Sequence, residues 1–126
     1  MIITDIRTTE YREVIDKTLL GELFHPKKVP GMISARYSIA HARLAAGCSS
    51  LPHTLIRSSE VYYILQGMGR MHIGSEEGVI QSGQLVYIPP GVVQYIENIG
   101  SDELVFLAIV DPMWDAQDEV LGASDV

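Results

Sequence analysis

The chain has 126 residues and a net charge of −7, sixteen acidic side chains against nine basic. That length fits one domain, a hydrophobic fraction of 47% is enough to line a single closed core, and the acidic balance argues against nucleic-acid and anionic-membrane partners, which need a basic face. The start Met1–Arg7 lacks the basic and apolar stretch of a secretory signal, the longest apolar run, Leu104–Val110, is far too short to span a bilayer, and the lone Cys48 has no internal disulfide partner, so a soluble, cytoplasmic protein is expected.

In chain order, residues 1–31 read as an N-terminal strand or loop segment packing on the barrel, with His25 in a loop ahead of Pro26 and the Lys27-Lys28 pair. Met32–Leu44, Glu60–Gln66, Arg70–Ile73, Leu85–Ile88, Val92–Ile96 and Leu104–Val110 are rich in Val, Ile, Tyr and Leu and read as strands. Gly67-Met68-Gly69 and Gly74–Gly78 read as hairpin connections, and Pro89-Pro90-Gly91 and Asn98–Asp102 as tight turns. Strand alternation puts His41 with Arg43 on an outward face opposite Ala40, Ala42 and Leu44, and sends His72 to solvent or a partner subunit. A short helix is expected from Asp111, with Pro112 at its first position and Trp114, Ala116, Val120 and Leu121 on one side. Trp114 is expected to plug one end of the barrel, and Cys48 to be a small buried hydrophobe near the pocket mouth. The organisation expected is one domain: a barrel over 32–114 and an acidic tail or short helix over 115–126.

Two spaced patterns lie back to back. The first is Gly47, five residues, His53, one residue, Leu55, four residues, Glu60, six residues, Gly67; the second is Gly83, five residues, Pro89-Pro90-Gly91, two residues, Gln94, three residues, Asn98. Over roughly Met32 to Trp114 this resembles the paired motifs of the cupin superfamily. The resemblance implies an all-β double-stranded β-helix, or jelly-roll barrel, in which three histidines and a glutamate hold a divalent metal. Leu55 and Gln94 stand where two of those histidines would be.

Leucine offers no lone pair, and an amide oxygen is a weaker ligand than imidazole for Zn, Fe or Ni. His53, Glu60 and Gln94 are thus the bare minimum for a mononuclear site. Two readings stay open. One is a barrel that binds a small organic molecule with no cofactor or a weakly held divalent metal (Zn, Ni, Mn or Fe). In that reading His53 and Glu60 form a coupled acid–base pair, while Leu55, Tyr62 and Gln94 line the pocket with Phe106 and Ala108, whose last-strand positions face the site in similar small cupins. The other is a metal-dependent enzyme of dioxygenase or isomerase type using His53, Glu60 and Gln94 as ligands. A homodimer is expected in either, through Tyr37, Ile39 and His41.

Overall fold

The computed structural model describes residues 1–122. It is built from eleven short strands: β1 (Tyr11–Glu13), β2 (Leu19–Phe24), β3 (Ser38–Leu44), β4 (His53–Leu55), β5 (Ser59–Gln66), β6 (Met68–Ile73), β7 (Glu76–Gln81), β8 (Leu85–Ile88), β9 (Val93–Asn98), β10 (Leu104–Asp111) and β11 (Glu119–Leu121). They form two antiparallel sheets, one in the order β1-β2-β3-β10-β5-β8 and the other β11-β4-β9-β6-β7. This is the all-β jelly-roll architecture expected. No helix among the described residues is long and apolar enough to cross a membrane.

Ladder registers show which side chains enter the barrel. Along β3 and β10, Leu44 faces Leu104, Ala42 faces Phe106, Ala40 faces Ala108 and Ser38 faces Val110; along β5, Ile64 faces Phe106, Tyr62 faces Ala108 and Glu60 faces Val110. Strand alternation keeps each of these sets on one face. The same strands therefore carry two environments. Towards Leu44, Ile64 and Leu104 they close a dry core with Met71, Ile88 and Ile96 from the neighbouring strands. Towards Ser38, Glu60 and Val110 they widen into a cavity, with Phe106 at the boundary.

Two of the motif landmarks have direct structural causes. Gly67, between β5 and β6, has φ of +92°, and an added Cβ would lie 3.0 Å from the Glu103 carbonyl oxygen and 3.1 Å from Leu104 Cα. Only glycine meets both conditions. Buried Asn98 donates from Nδ2 to the carbonyls of Leu44 and Asp102, both at 2.9 Å, and its Oδ1 accepts from the Gly100 amide at 3.0 Å. One side chain thus ties the end of β3 to the turn after β9.

Several expectations are corrected. The strand expected over Met32–Leu44 begins only at Ser38, because residues 32–37 have no ladder partner. Met68 and Gly69 belong to β6, where they pair with Gln81 and Ile80, and Glu76–Gly78 belong to β7, where they pair with Ile73, His72 and Met71. The helix expected from Asp111 is absent: β10 continues through Asp111, which pairs with Ser59 and so cannot cap. The cap falls at Asp115, whose carboxylate accepts from the Gln117 amide at 2.9 Å over a single 3-10 turn, Ala116–Asp118. The chain then enters β11, and residues 123–126 of the expected tail lie outside the described residues. Residues 1–31 supply β1 and β2, which extend the first sheet.

His41, His25 and Cys48 also differ from expectation, while His72 lies on the outer face. His41 is on the outward face but buried, because Tyr11 folds over it with a 2.7 Å Oη–Nδ1 hydrogen bond. His25 is buried too, with its Nε2 donating to the Trp114 carbonyl at 2.9 Å. His72 is half-buried, stacked on Tyr95 and 2.7 Å from a Glu97 carboxylate oxygen. Cys48 is exposed, in the turn before β4.

Candidate functional site

The cavity at the open end of the barrel encloses about 440 Å³ and is walled by Leu55, Tyr62, Phe106, Ala108 and Val110, with His53, Glu60, Asp16 and Glu119 among its polar groups. Its volume lies in the range of small-molecule sites. Trp114 is half-buried and lines both this cavity and a shallower one beside Pro112 and Arg57, so it forms a shared wall.

Glu60 is brought in by β5, opposite Ile88 and Val110, and is left with little surface through which water could solvate its charge. Burial pushes its carboxyl up to about 8; a hydrogen bond from Gln94 opposes the shift, and the nearby carboxylates of Asp16 and Glu119 add to it. Gln94 is only 1% exposed and lies behind Glu60, not on the cavity wall where it was expected. Its amide is fully oriented. The Tyr62 hydroxyl, which burial keeps protonated, donates to Gln94 Oε1 at 3.2 Å, and Gln94 Nε2 donates to Glu60 Oε1 at 3.1 Å. Tyr62, Gln94 and Glu60 thus form one directed chain of hydrogen bonds ending at a neutral carboxyl.

His53 enters from β4, opposite Gln94 in the ladder, and its ring is 3% exposed. Its Nδ1 lies 2.8 Å from the Leu51 carbonyl, which can only accept, so Nδ1 carries the proton and Nε2 faces the cavity. The carboxylate beside that Nε2 is Asp16, at 3.4 Å, and not Glu60 as the sequence suggested. Asp16 reaches the site from the β1–β2 connection. The Asp16 carbonyl accepts from the Leu51 amide at 2.7 Å, which fastens that loop beside β4. Glu119 is brought in by β11, directly opposite Leu55 in the ladder, and accepts a 2.8 Å hydrogen bond from Trp114 Nε1. Burial raises the Glu119 carboxyl, while the Trp114 bond and His53 hold it down and Asp16 and Asp118 add to the rise.

The residues at the usual ligand positions do not fit a metal. Leu55 is a buried wall residue, and the amide oxygen of Gln94 is already taken by Tyr62. Sequence reasoning missed Asp16 and Glu119. Both lie outside the paired motifs, in an N-terminal loop and an acidic C-terminal segment, and no spacing in the chain marks them.

A barrel of two antiparallel sheets carrying these motif landmarks is that of a cupin. The Cupin family model matches residues 20–123, and the chain belongs to that family. It is 34% identical over 123 residues to an uncharacterised protein of Methanocaldococcus jannaschii, covering 94% of this chain and 96% of that one. It is 30% identical over 89 residues to an oxalate-binding protein of Thermotoga maritima, covering 71% of this chain and 74% of that protein. Among solved structures, a predicted oxalate decarboxylase of Thermotoga maritima superposes with a TM-score of 0.77 over 88% of this chain and 99% of that one, at 21% identity.

Proposed function

We propose that the barrel binds one small, polar, neutral or cationic organic molecule, with Glu60 presenting a protonated carboxyl to it. The supporting observation is the cavity of about 440 Å³, in which apolar walls surround a few oriented polar groups. Its charge argues against a bare dicarboxylate. With Glu60 neutral, Glu10, Asp16, Glu22 and Glu119 still line it against Arg12 and Lys28, and Lys28 is paired with Glu22 at 3.1 Å. An oxalate dianion entering without a counter-cation would meet like charge in a weakly screened space. The similarity to an oxalate-binding protein therefore does not carry that ligand to the metal-free chain.

Calorimetric titration of chelator-treated protein at neutral pH should show no oxalate binding at millimolar concentration. Native mass spectrometry of protein purified without a tag should show a small organic adduct that is lost in Ala108→Trp, which fills the cavity. Tight oxalate binding by the metal-free chain would overturn this reading. The chain is also proposed to act as a homodimer, through the outer face of the larger sheet.

A further inference from the structure

We infer that Asp16, His53 and Glu119 form a divalent-metal site of their own, displaced from the ligand positions of the family motif. One ligand atom from each lies within 4.8 Å of the others. His53 Nε2 and Asp16 Oδ2 are 3.4 Å apart, too long for an ordinary hydrogen bond. It is the separation of two ligands on one ion: bond lengths of about 2.0–2.2 Å at a tetrahedral centre put neighbouring ligand atoms roughly 3.3–3.5 Å apart.

A second observation is independent of that spacing. Each of the three side chains is held by a hydrogen bond on the atom that would not touch the ion. His53 Nδ1–H donates to the Leu51 carbonyl at 2.8 Å, which leaves the Nε2 lone pair for a metal. Asp16 Oδ1 accepts from the Thr18 hydroxyl at 2.6 Å and the Thr18 amide at 3.1 Å, which leaves Oδ2. Glu119 Oε1 accepts from Trp114 Nε1 at 2.8 Å, which leaves Oε2. Such outer hydrogen bonds on all ligands at once are the usual support of a metal centre.

The register shows how the lost ligand is replaced. Glu119 lies directly opposite Leu55, so β11 brings a carboxylate to the place that a side chain at position 55 would have supplied. One imidazole and two carboxylates suit Zn, Mn or Fe(II) better than a soft ion, and the two negative charges balance a divalent cation. Asp16, His53 and Glu119 all line the cavity. This inference does not depend on the ligand proposed above, because metal alone is the probe.

Calorimetry with Zn²⁺ and Mn²⁺ at neutral pH should show one ion bound per chain. Asp16→Asn and Glu119→Gln should each weaken binding by more than about tenfold, and Trp114→Phe by about tenfold. Should either ligand variant fail to fold, the natural protein decides: Zn²⁺ should shift the ¹³C carboxylate resonances of Asp16 and Glu119 and the ¹⁵Nε2 resonance of His53, leaving the Glu60 carboxyl in place. No binding up to millimolar metal, binding that survives Asp16→Asn and Glu119→Gln, or a shift at Glu60 without one at Asp16 and Glu119 would overturn the inference.

Discussion

Because burial pushes the Glu60 carboxyl up to about 8 against an ordinary value of 4.5, the native chain keeps a proton that the unfolded chain has already released between those two values. This residue therefore costs nothing below about pH 4.5, where both states are protonated, and its cost grows as pH rises towards 8 and then levels off. Glu60→Gln keeps an acceptor for Gln94 Nε2 and removes the ionisation. The variant should be more stable than the natural protein by about 3 kcal/mol at pH 7, and the difference should vanish near pH 4. Urea unfolding across that range checks it. Equal stabilities at pH 7 and pH 4 would mean that the carboxyl is solvated in the native state.

The element most dependent on a single side chain is β11. Asp118, 3% exposed, accepts from the amides of Arg57 at 2.8 Å and Ser58 at 3.1 Å and from Arg57 Nε at 3.3 Å, and its carbonyl accepts from the Ile56 amide. The loop between β4 and β5 is thereby tied to the 3-10 turn that leads into β11. Burial alone would raise the Asp118 carboxyl, but the hydrogen bonds from Arg57 and Ser58 outweigh it and hold the group below its ordinary value of 3.8. Its contribution is therefore present above that value and lost only on further acidification. Asp118→Ala leaves the buried Ser58 amide and the part-buried Arg57 amide without their acceptor and should cost about 2 kcal/mol. The loss read by urea unfolding should be accompanied by faster hydrogen exchange at residues 119–121; unchanged exchange there would show that β11 is held by other contacts.

At the scale of the molecule, the larger sheet leaves an apolar outer face. Tyr63 lies opposite Leu85 and Val61 opposite Tyr87, and Leu85 and Tyr87 on the edge strand β8 are 60% and 57% exposed. Adjacent exposed apolar side chains of this kind mark contact surfaces. The surface first expected at Tyr37, Ile39 and His41 is reduced, because Tyr11 covers His41. Sedimentation at micromolar concentration should show a dimer in the natural protein and a monomer in the double variant Leu85→Glu, Tyr87→Glu. A 13.9 kDa species alone in the natural protein would sink the homodimer.

The barrel was legible in the chain because its motifs are local. Glycines at turns, a proline-glycine corner and alternating apolar strands each act within a few residues, and Gly67 and Asn98 do in the structure what their spacing suggests. Alternation also bears on His53, Glu60 and Tyr62, which line one cavity. It could not assign their partners. Whether His53 meets Glu60 or Asp16, and whether Gln94 faces the cavity or braces Glu60, depends on which segments the two sheets bring together across the barrel. Asp16 lies thirty-seven positions before His53 and Glu119 sixty-six after it. Neither separation leaves a local signal, and only closure of the sheets around one space, with β11 pairing to β4 and the β1–β2 loop fastened beside it, sets those charges against the same imidazole.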